Sequence, residues 1–393
     1  MAPADRTAHI RTTTRPVHVC IMTSVHDPFD PRIFHKQART LAAAGYRVTL
    51  LAPADGDADV EGVAVRGLAR PRRRTGRPLL WLRLMRRALR SRADLYHFHD
   101  PELLPLGLLI TRLTGRPVVY DAHEYYRNEI ATRGWIPRLL RRPAAELVHA
   151  IETLVARRLA AVVAVNEHMA AGFTARGARS VAVHNFPPLS YFRPAERPTS
   201  PKPVVGYVGA LTRERGLEIA WEAARLLHTR LPEAEVRVIG RIDWSGARVP
   251  RDRARWRRDA GAVLAGVLPA RAIPAALAGM AVGWIPFQPT PNNHRALPLK
   301  LLEYMAAGLP VVASDVGQTA AIVRASGCGI VVPAAEARAH ADALARLLTD
   351  EGVAAAMGAR GRAAVLARYS WEAESRRLLD LYARLAPAGP GRR

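Results

Sequence analysis

The sequence has little cysteine and no long apolar run. Its two cysteines, Cys20 and Cys328, lie far apart, which excludes a disulfide scaffold, makes a zinc site a poor prediction and fits a reduced, cytoplasmic setting. Residues 1–15 are polar and lack the apolar core of a secretory signal, so we expect a disordered N-terminal tail without a leader peptide. The most apolar stretches are short or interrupted by Pro and Arg, so we predict no membrane-spanning helix.

Lysine is also scarce, although the formal net charge is +24. Only Lys36, Lys202 and Lys300 are lysines, so arginine supplies nearly all of the positive charge. A basic surface attracts nucleic acid, anionic lipid or phosphorylated substrates. The sequence has no helix-turn-helix, zinc-finger or aromatic RNA-binding pattern, so a nucleic-acid-binding protein is the weakest alternative and we predict no specific nucleic acid as a partner.

The densest arginine cluster runs from Arg70 to Arg92. Its first part contains Arg70, Arg72, Arg73, Arg74 and Arg77. In its second part, apolar residues such as Trp81 and Leu84 alternate with arginines, which is the pattern of a basic amphipathic helix. Such a helix can lie on an anionic membrane surface or can pack its apolar side on the domain and expose the rest to water. Both interpretations stay open.

Strands and helices alternate along most of the chain. Val17–Thr23 reads as a buried strand, 33–44 as a helix closed by Gly45, and 46–52 as the next strand, which together predict a parallel α/β sheet. Polar residues follow the carboxyl ends of the strands, where open α/β sheets bind ligands. We predict a tail over 1–15, a Rossmann-like domain over 16–190, a linker over 191–203, a second Rossmann-like domain over 204–370, a terminal helix over 371–385 and a disordered tail over 386–393.

The segment Arg295–Val316 is the most informative part of the sequence. A helix rich in Leu and Met ends at Gly308, and an apolar strand follows Pro310. Lys300 and Glu303 are three residues apart, so they share one face near the start of that helix. A helix N-terminus with a lysine favours phosphate, and a carboxylate can accept both hydroxyls of a ribose. The alternative is an ordinary helix–strand unit whose polar residues face water.

The amino-acid sequence of this segment, from Leu297 to Val312, resembles the nucleotide-sugar signature of glycosyltransferase family four, whose members are retaining enzymes with the GT-B fold. The resemblance extends from about Val17 to Leu385. It implies two Rossmann-like domains that face a central cleft, with helices at the end of the chain. It also implies a metal-independent transferase without a cofactor. The donor would be a nucleoside-diphosphate sugar, and the acceptor a glycan, a lipid-linked molecule or a small metabolite.

The resemblance assigns roles residue by residue. His123 matches a pocket histidine that contacts the donor sugar and is our catalytic candidate. The predicted donor-binding residues are Gly209, Arg215, Asn293, Lys300, Glu303 and Gly317. Two positions depart from the family pattern, because Ala210 replaces a diphosphate-binding arginine and Arg295 replaces an earlier glutamate. The diphosphate clamp is thus reduced to Arg215 and Lys300, and the amides of the loop before Arg295 would bind the sugar hydroxyls instead.

Some alternatives remain open at this level. Another GT-B enzyme, such as a nucleotide-sugar epimerase, would carry similar residues. The pairs Asp27 with Asp30 and His97 with His99 have spacings suited to metal ligands, but surface loops explain them equally well, and we predict no metal site. We expect a cytoplasmic protein, in one version peripheral on the inner face of the plasma membrane. The sequence leaves the donor sugar, base, acceptor, linkage and oligomeric state undetermined.

Overall fold

The computed structural model describes residues 15–71, 73, 76–127, 130, 136–192 and 203–386. These residues fall into two compact units. The first unit runs to His184 and resumes at Glu374, whereas the second unit is Asn185–Ala373. Most of the predicted tails and linker lie outside the described residues, as do Arg72 and Arg74 of the arginine cluster.

Among the described residues, eight strands form the sheet of the first unit, in the spatial order β3-β4-β2-β1-β5-β6-β7-β8. The strands are β1 (His18–Met22), β2 (Arg47–Pro53), β3 (Ala58–Val60), β4 (Val63–Leu68), β5 (Leu95–Phe98), β6 (Val118–Ala122), β7 (Ala161–Ala164) and β8 (Ser180–Ala182). Neighbouring strands are parallel, except that β3 pairs with β4 in antiparallel register. The central strands are buried along their whole length, as continuous apolar runs covered on both faces require.

Helices cover this sheet. They are α1 (Arg39–Ala43), α2 (Arg77–Ser91), α3 (Leu104–Thr114), α4 (Arg138–Ala156) and α5 (Glu167–Ala175). The predicted helix over 33–44 begins as a π-helical turn, Ile33–Ala38, and continues as α1. The predicted amphipathic helix is α2, which buries Leu80, Leu84 and Ala88 on the sheet. The side chain of Asn166 accepts the Met169 amide and so fixes the start of α5.

The second unit contains a smaller sheet in which, among the described residues, six parallel strands follow the order β11-β10-β9-β12-β13-β14. They are β9 (Val204–Val208), β10 (Glu235–Ile239), β11 (Ala262–Gly266), β12 (Val282–Ile285), β13 (Val311–Ser314) and β14 (Gly329–Val332). The direction of strand succession reverses between β9 and β12. A crevice opens at such a switch point, outside the carboxyl ends of the strands.

The helices of the second unit are α6 (Leu217–Arg230), α7 (Arg253–Ala260), α8 (Ile273–Ala278), α9 (Pro291–Arg295), α10 (Leu299–Ala306), α11 (Gly317–Ser326), α12 (Ala337–Thr349) and α13 (Glu351–Arg368). The predicted signature helix is α10. It buries Leu301, Leu302, Tyr304 and Met305, and Gly308 with a φ of +73° ends the turn that follows it. Because only one edge of α10 stays accessible, the polar residues of that edge are held in fixed positions.

A last helix, α14 (Trp371–Leu385), returns to the first unit. Its Tyr382 is fully buried, and the hydroxyl lies 2.6 Å from Nδ1 of His97 on β5. Glu374 accepts hydrogen bonds from the backbone amide and the ring of His184. The first unit is therefore completed by residues that follow the whole second unit in the chain. None of the described helices is both long enough and apolar enough to span a bilayer.

Candidate functional site

Gly209 lies just past the carboxyl end of β9, at the switch point of the second sheet. Its φ is +111°, and its amide donates to the carbonyl of Ile239 on β10. A Cβ on the neighbouring Gly240 would lie 2.1 Å from the Gly209 carbonyl oxygen. Gly240 is required because a Cβ there would overlap the Gly209 backbone, and Gly209 is favoured because its φ is positive. The backbone at Gly209 carries no side chain on its open side, so a ligand can approach it closely.

The side chain of Lys300 lies directly beside Gly209. Lys300 is the second residue of α10, and its Nζ would be 3.3 Å from a Cβ placed on Gly209. The amine lies 3.7 Å from the ring centroid of Tyr207 and 5.2 Å from that of Phe287. It is buried and has no hydrogen-bond partner among the described residues. A buried amine with unmet donors at a strand edge is suited to an anionic ligand.

Arg215 and Glu303 act electrostatically on that amine. Burial and then the charge of Arg215 lower the pKa of Lys300 well below its usual value, whereas the charge of Glu303 raises it. Arg215 is exposed, and its Nη1 donates to the Ala210 carbonyl oxygen at 3.3 Å. Glu303 is half-buried, one turn after Lys300 on α10. Two cationic side chains and a carboxylate therefore share one neighbourhood with the Gly209 backbone.

Asn293 and Gly317 shape the neighbouring loop. The buried Asn293 donates through Nδ2 to the carbonyls of Glu214 and Gln288, each at 2.9 Å. Both amide hydrogens are thus used to hold the segment that precedes Arg215. The role predicted for Asn293 toward sugar hydroxyls stays a prediction, with its Oδ1 as the remaining polar atom. Gly317 has a φ of +48°, and a Cβ there would lie 2.2 Å from the His294 carbonyl oxygen.

In the first unit, His123 follows the carboxyl end of β6. Its Nδ1 lies 3.2 Å from Oδ1 of Asp121, and its ring contacts the edge of the His26 ring at a centroid distance of 5.2 Å. The side chain is 13% exposed, so the rest of the unit holds it with one small open face. Because Nδ1 is engaged by a carboxylate, Nε2 is the ring atom left for other contacts.

Asp121, the fourth residue of β6, is fully buried and anchors this part of the site. Arg32 donates to it through Nε at 3.0 Å and through Nη2 at 3.0 Å, and Gln37 donates through Nε2 at 2.6 Å. Burial alone would raise the pKa of Asp121, but the Arg32 guanidinium and the histidines His99 and His123 hold it well below its usual value. A permanently charged carboxylate fixes the tautomer and the orientation of the His123 ring.

His26, in the loop after β1, is held between two carboxylates. Its Nε2 lies 3.3 Å from Asp100 and its Nδ1 lies 3.6 Å from Asp30. Burial alone would lower the pKa of His26, but the hydrogen bonds and charges of Asp100 and Asp30 outweigh it and raise the pKa to about 10. The imidazolium stays charged at neutral pH, and its charge is balanced locally by both acids.

The structure corrects the interpretation of His97 and His99 as surface-loop residues. Both are fully buried, their rings stack at 4.6 Å, and with Asp121 they form a group whose ligand atoms lie within 4.8 Å of one another. Burial lowers the pKa of His97 to about 4, so its ring is neutral at pH 7. The group fits a metal poorly, because the Asp121 oxygens already accept from the Arg32 guanidinium and Gln37.

The predicted site residues thus form two groups. Gly209, Arg215, Lys300, Glu303 and, through the adjoining loop, Asn293 and Gly317 lie together at the carboxyl edge of the second sheet. His123 lies at the carboxyl edge of the first sheet. Sequence reasoning missed the Arg32–Asp121–Gln37 contacts. The available signal was Asp121 itself, because a charged residue inside an otherwise apolar strand needs a buried partner.

Two protein-family models match the chain. Residues 32–188 match the glycosyl transferase 4-like domain, and residues 202–350 match glycosyl transferases group 1. The matches cover the second sheet and every strand of the first sheet except β1, and they include every predicted site residue. The first matched range contains His123, and the second contains the group around Lys300.

Curated relatives are glycosyltransferases. A D-inositol 3-phosphate glycosyltransferase from Corynebacterium urealyticum is 32% identical over 181 residues, which is 46% of this chain and 42% of that protein. The matched region therefore spans less than half the length of that relative. A D-inositol 3-phosphate glycosyltransferase from an Arthrobacter species is 28% identical over 318 residues, 76% of this chain and 72% of that protein.

Solved structures share the fold over nearly the whole chain. A sucrose-phosphate synthase from Thermosynechococcus elongatus has a TM-score of 0.68 at 19% identity, covering 94% of this chain and 99% of that one. Anabaena HepE in complex with UDP-glucose has a TM-score of 0.67 at 16% identity, covering 93% and 99%. Together with the two parallel sheets, these likenesses confirm the predicted GT-B fold class.

Proposed function

We propose that this chain transfers a sugar from a nucleoside-diphosphate sugar to an acceptor hydroxyl. Its match to a glycosyl transferase 4-like domain followed by a glycosyl transferases group 1 domain supports the proposal. The observation that carries the proposal is the buried Lys300 amine beside the bare backbone of Gly209. A diphosphate bound there would supply the acceptors that the amine lacks. Arg215 adds a second cation from the adjoining loop, and Glu303 is placed to accept ribose hydroxyls.

The chemistry requires stabilisation of a leaving group. When the bond between the anomeric carbon and the β-phosphate oxygen breaks, the electron pair stays on the diphosphate. Fixed cations in a water-poor site stabilise that developing charge without reorganisation. Lys300 is held in place by its burial, and it lies in the first turn of α10, where the helix dipole favours a negative charge. Lys300 and Arg215 can supply this positive charge, so the proposal includes no metal.

His123 is proposed to contact the donor sugar. Asp121 holds Nδ1 of its ring, so Nε2 would face the sugar as a hydrogen-bonding atom. We propose retention of the anomeric configuration, on the family resemblance alone. The acceptor would be a glycan, a lipid-linked molecule or a small metabolite. The similarity to D-inositol 3-phosphate glycosyltransferases makes a hydroxyl-rich molecule the first acceptor to test. The UDP-glucose complex of HepE makes UDP-glucose the first donor to test.

A thermal-shift experiment tests the donor site. UDP or GDP should raise the melting temperature of the full chain, and Glu303→Ala should abolish most of that rise because the ribose loses its acceptor. The matched control is Glu222→Ala, which removes an exposed carboxylate of the same unit that pairs only with Arg225 among the described residues. If no nucleoside diphosphate shifts the wild-type chain, or if both variants respond equally, the assignment of this site is wrong.

A product assay separates sugar transfer from the alternative, a nucleotide-sugar epimerase. An epimerase would convert the donor with no acceptor present. A transferase would release the nucleoside diphosphate faster when the acceptor is added, and would leave the configuration of the donor sugar unchanged. Conversion of the donor alone into a second nucleotide sugar would contradict the proposal.

We propose further that the protein works at the inner face of the plasma membrane as a peripheral protein. The arginine cluster motivates this location, because anionic lipid attracts clustered basic residues. Three arginines of the cluster are already paired, Arg70 with Asp27, Arg77 with Glu102 and Arg87 with Asp57. The remaining exposed arginines of α2 are Arg83, Arg86 and Arg90. Weaker sedimentation with anionic vesicles after neutralisation of these three would support the location, and unchanged sedimentation would remove the support.

A further inference from the structure

The outward face of α4 is apolar. The helix turns Ala145, Glu152, Val155 and Ala156 toward the core of the first unit. On a helix of 3.6 residues per turn, the opposite side carries a stripe of large aliphatic residues. These residues are Leu140, Leu147, Ile151 and Leu154, with Leu139 at one margin, and all of them are exposed. A surface helix normally turns charged residues to water on that side, so the stripe requires an explanation.

The stripe continues onto the next helices. Helix α3 packs between α2 and α4 in one layer over the sheet. It exposes Leu109 and Leu113, and α2 exposes Leu79 and Leu82. Scattered exposed leucines are normal on a protein surface, but exposed leucines on three adjacent helices mark an interaction surface. We call this layer the leucine face.

Charge on the same helices is almost entirely positive. Helices α2, α3 and α4 carry nine arginines and two glutamates. Of the glutamates, Glu146 is paired with Arg127 at 2.6 Å, and Glu152 is buried and accepts from the Tyr120 hydroxyl. Exposed arginines flank the aliphatic residues, with Arg138 and Arg142 at the start of α4. Aliphatic residues bordered by arginine suit a surface that is apolar inside and negative at its boundary.

We propose that the leucine face binds the surface of an anionic lipid bilayer, with the aliphatic side chains of α4 among the acyl chains and the arginines at the headgroups. A second copy of the chain fits less well. Pairing two such faces would bring two sets of arginines together in a chain of net charge +24. The proposal deepens the peripheral location given above, because it names the contact surface, which is centred on α4 and not on the arginine cluster alone.

Vesicle cosedimentation of the full chain tests the proposal, with phosphatidylcholine vesicles that contain or lack phosphatidylglycerol. The double variant Leu147→Ser with Leu154→Ser should bind the anionic vesicles roughly tenfold more weakly or worse, because two aliphatic side chains no longer leave water. The matched control is Leu366→Ser on α13 of the second unit. Leu366 and Leu154 are equally exposed, at 52%. Leu366→Ser should bind as the wild type does.

Arginine variants test the second half of the surface. Arg138→Gln with Arg142→Gln should weaken binding to the anionic vesicles and leave the weak binding to pure phosphatidylcholine unchanged. All four leucine and arginine positions are exposed, so their melting temperatures should equal that of the wild type. The thermal shift with UDP or GDP is measured on the same variants and should persist, which separates a failure of this proposal from a failure of the donor site.

Three results would overturn the proposal. The first is binding of the leucine double variant at wild-type strength, which would leave charge alone as the cause. The second is an equal loss of binding in Leu366→Ser, which would make the effect nonspecific. The third is a wild-type dimer in sedimentation velocity that the leucine double variant splits, which would assign the face to a second copy of the chain.

Discussion

Replacing Lys300 with Met should stabilise the protein and impair the binding of its donor. Met keeps an unbranched apolar stem that can fill the space beside Tyr207 and Phe287, and it removes an amine without a hydrogen-bond partner among the described residues. Buried unsatisfied donors cost about 1–3 kcal/mol. Burial and the charge of Arg215 lower the pKa of Lys300, which shows that its environment disfavours a charged amine when no ligand is bound. We expect a net gain of about 1 kcal/mol and a rise in the melting temperature of roughly 2–4 °C.

The nucleotide response should change in the opposite direction. A charge-assisted hydrogen bond contributes about 1.5–3 kcal/mol, so UDP or GDP should bind roughly 10- to 100-fold more weakly to Lys300→Met. Isothermal titration calorimetry measures the nucleotide affinity, and differential scanning calorimetry measures the melting temperature. Lys36→Met is the control, because Lys36 is also buried but has an interaction partner, and its loss should lower the melting temperature. A less stable Lys300→Met variant, or one with wild-type nucleotide affinity, would refute the reasoning.

Three further predictions concern the frame of the site. Asp121→Asn should cost about 3–5 kcal/mol in urea unfolding, because it leaves the buried Arg32 guanidinium without its carboxylate. In the wild type, the low pKa of Asp121 means that this stabilisation is present at neutral pH and is lost as the pH falls below about 4. His26 behaves in the opposite sense: with a folded pKa of about 10, its contribution is complete below about pH 6.5 and is lost as the pH rises toward 10, so His26→Gln should flatten unfolding free energies measured over that range. Gly317→Ala should cost several kcal/mol by chemical denaturation, because its Cβ would overlap the His294 carbonyl and its φ is positive.

The predictions for Asp121 and Gly317 each have a control variant within the chain. Asp342→Asn removes an exposed carboxylate paired with Arg230 and should cost less than about 1 kcal/mol. Gly308→Ala has a positive φ but nothing within 4 Å of its Cβ, so it should cost only about 1–2 kcal/mol. Equal costs for the two aspartates, or for the two glycines, would contradict the reasoning. For His26, a wild-type unfolding free energy that does not change between pH 6.5 and 10 would contradict the reasoning.

Much of the fold could be predicted from the sequence because its signals are local. The apolar runs at Val204–Val208 and Val311–Ser314 are buried parallel strands, and glycines such as Gly45 and Gly308 take positive φ values where helices end. The class of fold followed from the alternation of strands and helices. The switch from a π-helical turn to α1 within 33–43 was not predictable, since no local residue marks it.

The site could be predicted only in part. The residues around Lys300 were named because they lie in contiguous motifs, but the burial of the Lys300 amine depends on Tyr207 and Phe287, which are distant in sequence. The pairing of Arg32 with Asp121 joins residues 89 positions apart and has no local signature. The same applies to His97, whose burial depends on Tyr382 of the last helix. Whether Asn293 contacts a sugar and whether His123 acts in transfer stay predictions.

The return of α14 to the first unit has a consequence for biosynthesis. During translation, His97 and His184 leave the ribosome long before Tyr382 and Glu374, which complete their hydrogen bonds. The surface of the first sheet around His97 therefore stays uncovered while the residues of the second sheet are synthesised. A nascent chain stalled before α14 would leave the surface around His97 exposed, and synthesis of α14 would cover it.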